Sequence, residues 1–523
     1  MFELFSTILA QSQTAPSEGT SKVLTPTVLL GIFLVGAALV LAITWRIRTV
    51  HLALGFATTV LMWAVGYLAM LAPGMWIGEA LFSITLCIPV AFGWIARRGG
   101  ASPAKVGLVS ALANLLVIGA FLRDEQQGSV LTPVLYVVGL FAVSTALAVF
   151  GGFLASNFAS HFASDLSRHL SRHLSRHLSR HLSRHLSRKF AQPIALPSSV
   201  GLLAIVAAVA VFLLLVTGGL VTSLESGLAV PDWPNSFGHN MLLYPISQMK
   251  GGIYYEHAHR LFGMLVGVTA LVMLGVVWRE DSRRLVRTLA IAFIVIVCAQ
   301  GLLGGLRVTG NITSATSGTE LRPSTLLAIV HGMFGQIVFA TACVIACIAS
   351  TSWKSTTPAI AVADAGRVRA LPIVLLCVLL VQLFLGASYR HLQVPPHDGL
   401  PAQHPSWPIW FHIAGAVVVL VLAVITGAHA ASRARDIKPV RILGKGLVHA
   451  VGLQVALGVG ALVVVLIRVD EKIPGYEVLV TSAHQALGAL LLAMTAMLAA
   501  LSLRFVAEPA SAAALTSMKH SSA

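Results

Sequence analysis

The sequence has few charged residues, too few to cover a soluble surface. Charged side chains make up 10% of its 523 residues, and hydrophobic ones make up 57%. A soluble domain carries about 25% charged residues, so this composition excludes an ordinary soluble enzyme. A helix needs about 20 apolar residues to cross the hydrocarbon layer of a membrane. Thirteen runs of about that length predict an all-α polytopic membrane protein.

Acidic residues are scarcer than basic ones, and this imbalance bears on the partners of the chain. There are 19 Asp and Glu residues against 35 Lys and Arg residues, which gives a formal net charge of +16. Most basic residues lie in short loops between apolar runs and in one low-complexity tract. This placement favours the membrane surface and its topology as the reason for the charge. We therefore expect a lipid membrane, and no nucleic acid, as the partner of these residues.

Cysteine is also rare. All five cysteines lie inside apolar runs, where neither a disulfide nor a reactive thiol is expected: Cys87, Cys298, Cys343, Cys347 and Cys377. We assign them no redox role. The first residues also lack the basic segment of a cleaved signal peptide, so we expect none.

Apolar runs and charge divide the chain into five parts. We predict a polar N-terminus at 1–23, five membrane helices of unknown role at 24–160, a basic linker at 161–196, an eight-helix domain at 197–506 and a polar tail at 507–523.

The linker contains a tetrapeptide repeat, Ser-Arg-His-Leu, which begins at Ser167 and recurs to Leu186. Four residues turn through about 400° on a helix, so each residue type would form a slowly drifting stripe. One interpretation is a basic amphipathic helix on an anionic membrane surface. Histidines spaced four residues apart would also suit a metal ion. We favour a low-complexity linker without a fixed role.

The eight runs after the linker form two similar halves, at 197–350 and 370–506. The motif Gln-x-x-Leu-Gly at Gln300 in the third run recurs at Gln454 in the seventh. This match predicts two tandem four-helix units, although the same motif at Gln382 in the fifth run has no obvious counterpart in the first. Basic loops follow the second, fourth and sixth runs, and the positive-inside rule places them in the cytoplasm. The even-numbered runs then enter the membrane from its outer face.

Each even-numbered run has near its outer end a histidine that is followed three or four residues later by a glycine: His259, His331, His412 and His484. In a four-helix unit, two histidines at equal depth on facing helices suit the two axial positions of a haem iron. Neutral imidazole tolerates the membrane interior better than a carboxylate does. We therefore predict two haem pockets, one with His259 and His331 and one with His412 and His484. The alternative is that all four form hydrogen bonds between helices.

Only the first predicted pocket has a carboxylate nearby. Glu256 lies three residues before His259 and four before Arg260, so the three share one face of a helix. This asymmetry suggests that one haem is chemically altered, while the other is a resident electron carrier. The alternative is an interfacial ion pair between Glu256 and Arg260. His257 lies about 200° round the helix from His259 and is a weaker candidate ligand.

Outer loops and helix ends carry further candidates. Three arginines are candidates to bind the propionates of a haem, because a planar guanidinium matches a carboxylate: Arg260, Arg307 and Arg390. Anchoring at the membrane interface explains these three residues equally well. The outer loop 225–234 is rich in Gly, Pro and Trp, and we expect it to form an ordered lid. Another outer loop contains three histidines: His391, His397 and His404. They could contact the edge of a cofactor or bind a metal ion, but we favour solvated side chains without such a role.

Together these features resemble the haem A synthase family. The resemblance rests on Glu256-x-x-His259-Arg260, on the Ser-Gly-Leu-Ala-Val-Pro-Asp-Trp-Pro loop that begins at Ser226 and on the single histidines of the later even-numbered runs. It covers about residues 197–506. It implies an eight-helix enzyme that oxidises a methyl group of haem O to the formyl group of haem A for cytochrome oxidase assembly.

The resemblance also implies roles for individual residues. The substrate haem would be bound by His259, His331 and Arg260, and Glu256 would take part in the oxidation. The iron of a resident haem b would be ligated by the other two histidines, His412 and His484.

Partners and location follow from the same resemblance. It implies haem O synthase, oxidase assembly factors and an unidentified electron donor or acceptor as partners, and a place in the inner (cell) membrane with the haem sites near the periplasmic face. Some family members have a cysteine pair in an outer loop. This chain has none, so it resembles the cysteine-free class. The five N-terminal helices and the Ser-Arg-His-Leu repeat lie outside the family pattern.

Two other functions fit the four histidines. A dihaem b-type cytochrome would transfer electrons without altering haem, but it gives no reason for a carboxylate at only one pocket. A haem transporter or chaperone would release haem unchanged.

Overall fold

In the computed structural model, eight ranges of the chain are described: 26–72, 75–117, 131–173, 193–309, 324–354, 358–392, 405–468 and 473–509. Within them the protein is almost entirely helical, and eleven helices are long and apolar enough to cross a membrane. The prediction of an all-α polytopic membrane protein is therefore confirmed. The other two predicted runs also form helices within these ranges, at Pro26–Arg46 and Pro103–Val117.

Some predictions lie outside the described residues. These are the polar N-terminus at 1–23, the Ser-Arg-His-Leu repeat after His173, the loop histidines His397 and His404, and the C-terminal tail from 510 onward.

The chain packs as two compact units. The first unit comprises Met1–Ala207, Asn235–Met249 and Gly267–Arg283. Its complete helices are α1 (Pro26–Arg46), α2 (Thr49–Met70), α3 (Trp76–Arg98), α4 (Pro103–Val117) and α5 (Leu131–His173). It also includes the start of α6 (Ser199–Ser223), the end of α7 (Gly252–Glu280), the antiparallel strands β1 (Asn235–Ser236) and β2 (His239–Asn240), and two 3-10 turns at Met241–Leu243 and Ile246–Gln248.

Small residues and a few polar contacts hold the first unit together. α3 and α5 cross where Gly93 lies against the backbone of Ala148. Small residues let membrane helices approach each other closely, and this close approach stabilises their packing. At the end of α7, Nη1 of Arg279 donates a hydrogen bond to the carbonyl oxygen of Thr44 over 2.6 Å. These contacts fix the end of α7 against the end of α1.

The second unit comprises Ala208–Pro234, Lys250–Val266 and Arg284–Ala523. It contains the rest of α6 and α7 and the helices α8 (Arg284–Thr309), α9 (Thr325–Ala349), α10 (Thr351–Lys354), α11 (Ala365–His391), α12 (Trp407–Arg433), α13 (Lys438–Leu466) and α14 (Gly475–Phe505). The long helices pack mainly on their neighbours in the chain, and α14 also packs on α9 and α11. A short parallel pair, β3 (Ile360–Ala361) with β4 (Val506–Ala507), joins the segment before α11 to the end of α14.

The eight helices predicted after the linker are α6 to α9 and α11 to α14. Their starts follow ordinary capping chemistry: the hydroxyl of Ser324 accepts the N–H of Leu327 over 3.2 Å at the start of α9. Pro408 in the first turn of α12 occupies a position where no backbone donor is needed. The predicted domain boundaries stay a prediction, because the two packed units include parts of both α6 and α7.

Candidate functional site

Four histidine side chains face one another in two pairs within the second unit. The ring centres of His259 on α7 and His331 on α9 lie 6.4 Å apart, with 79° between the ring planes. The ring centres of His412 on α12 and His484 on α14 lie 6.3 Å apart, also at 79°. The structure thus brings together the residues that the sequence grouped, and it does so with one geometry in both halves.

Each of these rings lies against a glycine of the helix that precedes its own. A Cβ atom placed on that glycine would lie only 2.9–3.0 Å from Cε1 of the ring. Such a distance is shorter than carbon atoms normally adopt, so only glycine leaves room for the imidazole. The contacts, in chain order, are Gly218 with His259, Gly304 with His331, Gly386 with His412 and Gly458 with His484.

A backbone carbonyl one turn before each glycine interacts with the same ring. Nδ1 of His412 lies 3.2 Å from the carbonyl oxygen of Gln382. Equivalent carbonyl interactions are made by Leu214 with His259, Gln300 with His331 and Gln454 with His484. In the last two, Nδ1 does not reach full hydrogen-bond geometry. A proton kept on Nδ1 would leave the lone pair of Nε2 free to bind a metal ion.

Glutamine amides complete three of the four histidine sites. Nε2 of Gln300 donates to the carbonyl oxygen of His331 over 2.9 Å, and Nε2 of Gln382 donates to that of His412 over 2.7 Å. These amides also occupy the space over the glycine that follows each histidine. The pairs are Gln300 over Gly335, Gln382 over Gly415 and Gln454 over Gly488.

The site of His259 departs from this pattern. The residue four positions before Gly218 is Leu214, so the glutamine of the other three sites is replaced by an apolar side chain at this position. Instead, Oγ1 of Thr217 donates to the carbonyl oxygen of Leu214 over 2.9 Å and lies 3.2 Å from Nδ1 of His259. Among the described residues, nothing lies within 4 Å of a Cβ atom placed on Gly263, the counterpart of the three covered glycines.

The separation of the paired rings suits a single metal ion midway between them. A metal–imidazole bond is about 2 Å long and the ring centre lies about 1 Å beyond the nitrogen, so opposed imidazoles on one ion have centres about 6 Å apart. The observed 6.4 and 6.3 Å agree with this value. Among the described residues, no group of three or more His, Cys, Asp or Glu side chains is placed to hold a metal ion. Two protein ligands are enough for a metal ion whose other ligands come from a macrocycle.

Glu256 lies buried at the start of α7 and is paired on both oxygens. Its Oε1 forms an ion pair with Nη2 of Arg260 over 2.7 Å, and its Oε2 accepts the N–H of Val230 over 2.9 Å. Arg260 also donates to the carbonyl oxygens of Val230 and Asp232, each over 2.7 Å. The ion pair that the sequence left as an alternative is therefore present. The catalytic role of Glu256 and the haem-binding role of Arg260 stay predictions.

The outer loop 225–234 is fixed at several points in the second unit. Besides the contacts of Val230 and Asp232, the Trp233 ring lies directly on Gly305 of α8. Gly227 lies against Arg307, since a Cβ atom placed on Gly227 would be 2.8 Å from the Nη2 atom of that residue. The loop thus forms a lid on α7 and α8, as its composition suggests.

Arg307 lies closer to the first histidine pair than the sequence indicated. Its guanidinium interacts electrostatically with His259 and His331, and also with Glu256. Its Nε is buried and has no hydrogen-bond partner in the described part of the chain. His391, at the end of α11, also interacts with Arg307, so this loop histidine belongs near the first pair.

Other candidates lie elsewhere. Nη2 of Arg390 donates to the carbonyl oxygen of Thr222 over 2.6 Å and lies 3.8 Å from Glu225, so it joins α11 to the end of α6. His257 is fully buried and is not a member of either pair. All five cysteines are free thiols.

Sequence reasoning noted three of the glycines on which the rings lie, as the last residue of the Gln-x-x-Leu-Gly motif, but it did not connect them with the histidines. Three of them follow a glutamine by four residues, so the Gln-x-x-x-Gly spacing of α8, α11 and α13 was the available signal. The first run lacked that signal because Leu214 replaces the glutamine. Thr217, the hydroxyl partner of His259, was missed for the same reason.

Comparison with known proteins agrees with this architecture. Residues 201–496, which include both histidine pairs and Glu256, match the model of a family described as cytochrome oxidase assembly protein. A haem A synthase of Rhodospirillum centenum is 26% identical over 320 residues, which cover 52% of this chain and 82% of that protein. A haem A synthase of Caulobacter sp. is 25% identical over 310 residues, which cover 50% of this chain and 87% of that protein.

Other relatives match over a shorter stretch. A haem A synthase of Parvibaculum lavamentivorans is 27% identical over 158 residues, and the chain spans 46% of its length. Because the family model matches more than half of this chain, the chain belongs to the family of cytochrome oxidase assembly proteins.

Proposed function

We propose that this chain is a haem A synthase-like oxidoreductase, which oxidises a methyl group of haem O to the formyl group of haem A for cytochrome oxidase assembly. The observation that carries the proposal is the presence of two matched histidine pairs, of which only the first has a buried carboxylate one turn away. The relatives named haem A synthase support the reaction.

Haem suits the two pairs because their ring separations fit one iron between two imidazoles. We assign the substrate haem to His259 and His331, and a resident haem b to His412 and His484. A bound haem b would supply reversible one-electron chemistry. The protein holds the imidazoles in place through the facing glycines and carbonyl groups and so fixes where a flat macrocycle lies.

The asymmetry between the pairs supports this assignment. The second pair has glutamine amides beside both histidines, as suits a cofactor that stays in place. The first pair has one glutamine, a lid and three charged residues nearby: Glu256, Arg260 and Arg307. A substrate with two propionates and a reacting methyl group needs such polar groups more than a resident electron carrier does.

Glu256 is our candidate for the residue that acts in the oxidation. With water supplying the oxygen, converting a methyl to a formyl group releases protons as well as electrons, and a fixed carboxylate accepts protons or stabilises developing positive charge. Arg260 and the N–H of Val230 hold both carboxylate oxygens, so Glu256 has a fixed position. The electrons would leave to the unidentified electron partner.

Haem extraction and chromatography from cells that express this chain with a haem O synthase tests the reaction. We expect haem A, or its hydroxylated precursor, only when both proteins are present. Glu256→Gln should keep the bis-histidine absorption bands and lower product by about 100-fold or more. Glu477→Gln is the matched control, because Glu477 is also buried and ion-paired, with Arg468 over 3.2 Å, and it should leave product formation unchanged.

The rival functions predict other outcomes. If haem O stays unchanged while the protein binds two haems and electron supply has been verified, the proposed reaction is wrong. Electron transfer by a dihaem cytochrome would then be the function. Release of intact haem to an acceptor protein would favour a transporter or chaperone.

We also propose the partners and location that this reaction requires. A haem O synthase supplies the substrate, oxidase assembly factors receive the product, and the chain spans the inner (cell) membrane. The basic loops after α7, α9 and α12 support a cytoplasmic side for those loops, which places the histidine pairs near the periplasmic face.

A further inference from the structure

Arg307 brings a charge to a position that is uncharged in the three equivalent helices. It lies three residues after Gly304, the glycine that faces the ring of His331. Three residues are just under one helical turn, so Arg307 is on the same face of α8, about 4.5 Å nearer the end of that helix. The residues at this spacing from the other three ring-facing glycines are Val221, Tyr389 and Ala461. The first pocket therefore has a cation beside one of its histidines, at a position that is uncharged in the second pocket.

The guanidinium of Arg307 has a donor that no described residue uses. Its Nε is buried and has no hydrogen-bond partner among those residues. Glu256 attracts this charge, but one carboxylate oxygen of Glu256 is held by Arg260 and the other by the N–H of Val230. Buried polar groups are nearly always hydrogen-bonded, and a charged donor is especially costly to leave unmatched. The position therefore suits a negatively charged acceptor that the described part of the chain does not supply.

The lid lies directly over this guanidinium. A Cβ atom placed on Gly227 would be 2.8, 3.4 and 3.5 Å from Nη2, Cζ and Nη1 of Arg307. The loop reaches the guanidinium this closely because Gly227 has no side chain. Two residues earlier on α8, Gly305 lies under the ring of Trp233, so the lid covers this stretch of the helix. Excluding water strengthens a charge-assisted hydrogen bond, so an anion bound by Arg307 would be held firmly there.

The other two arginines that the sequence offered for a propionate are already occupied. Both terminal nitrogens of Arg260 donate to carbonyl oxygens of the lid, and one of them also pairs with Glu256. Arg390 donates to the carbonyl oxygen of Thr222, and its side chain is 40% exposed. Of the three, Arg307 alone combines a covered guanidinium with a buried Nε that has no partner in the described ranges.

We propose that Arg307 binds a propionate of the substrate haem beneath the lid, and that this contact makes the first pocket selective for a haem with a free carboxylate. The inference rests on the proposed function, because it takes the pocket of His259 and His331 to hold the substrate haem. It goes further by moving the propionate contact from Arg260 to Arg307 and by leaving Arg260 to hold Glu256 and the lid. It also names the chemical group through which this pocket recognises its substrate.

A titration with two haems that differ only in their propionates tests the contact. The full-length protein, purified with its second pocket filled, is titrated with iron protoporphyrin IX and with the dimethyl ester of that haem. Binding is followed by the bis-histidine absorption gained at the first pair. We expect the unchanged protein to bind the free acid about tenfold more tightly or better, since the ester has no carboxylate for Arg307 to bind.

Variants assign this preference to one side chain. Arg307→Gln should weaken free-acid binding about tenfold and leave ester binding unchanged, so that the two haems bind alike. Arg307→Lys should keep part of the preference, because the charge remains while the paired donors of the guanidinium are lost. Arg390→Gln is the matched control, since it removes the same charge from a side chain that is bound elsewhere, and it should keep the full preference.

Three results would overturn the inference. An unchanged preference in Arg307→Gln would show that the contact is not made. An equal loss of free-acid and ester binding in that variant would give Arg307 a structural role only. An equal loss of preference in Arg307→Gln and Arg390→Gln would assign the selectivity to the overall positive charge rather than to one contact.

The titration and the haem A assay fail separately. Haem A formation without the free-acid preference would remove only the assignment of Arg307. The expected preference without haem A would keep Arg307 as a carboxylate-binding residue and remove the proposed reaction. If added haem gave no bis-histidine bands at the first pair, both would be wrong.

Discussion

Replacing Gly458 with alanine should remove haem from the second pocket, because it places a methyl carbon where the ring of His484 lies. That carbon would be 2.9 Å from Cε1 of the ring. Non-bonded carbon atoms settle about 3.5–4.0 Å apart, so the ring or the helix must move by at least about 0.6 Å. Metal–ligand distances tolerate changes of about 0.2 Å, so the shift is about three times the tolerance. A loss of about 10- to 100-fold in haem affinity follows, the usual effect of disturbing the groups that orient a ligand.

The assay compares haem per protein and bis-histidine absorption in purified full-length variants. Gly452→Ala is the control, since Gly452 lies on the same helix α13 and an added Cβ atom there meets no described residue within 4 Å. Gly458→Ala should lose the signal of one haem, and Gly452→Ala should keep both. Two full haem signals in Gly458→Ala would refute the reasoning, because the glycine contact would then not determine where the ring lies.

Three further variants test other contacts. Arg260→Ala leaves Glu256 buried without its cation, so stability should fall by about 3–5 kcal/mol. Thermal unfolding in detergent measures this, and an unchanged unfolding temperature would show that the pair is not needed. Trp233→Ala removes the ring that lies on Gly305, so protease should cleave the lid faster while haem content stays constant; equal cleavage rates would contradict the packing. Arg279→Ala removes the 2.6 Å bond to the end of α1 and should destabilise the chain by about 1–3 kcal/mol with unchanged haem bands; an equally stable variant would count against that contact.

The sequence was sufficient to predict the membrane helices and the grouping of the histidines. Hydrophobic run length reports directly on the thickness of the membrane core, so the eight helices after the linker were found. The histidines were grouped because each interrupts an apolar run at the same distance from its outer end. The helix α5 is longer than predicted: it continues from the apolar run into the repeat as far as His173, since Ser, Arg, His and Leu all tolerate helical backbone.

Other features could not be predicted from the sequence for physical reasons. The spacing of Glu256 and Arg260 fits an ion pair and a catalytic site equally well, so only the contacts to Val230 and Asp232 show that the pair holds the lid. The proximity of Arg307 to the first histidine pair depends on how α8 packs against α7 and α9. Glycine also occurs in apolar runs for many reasons. Neither run alone indicates that a glycine on one helix will contact a histidine ring on another.

The four ring-on-glycine contacts have a consequence for protein engineering. A histidine introduced into a transmembrane helix brings a metal-binding nitrogen, but its ring also needs a slot in the neighbouring helix. In this chain each slot is made by omitting a side chain one helix earlier. A designer who wishes to graft such a centre onto another helical bundle should therefore transplant residues two by two, the coordinating imidazole together with the bare backbone opposite it. An imidazole added without the facing glycine would clash with the side chain on the neighbouring helix and push the two helices apart.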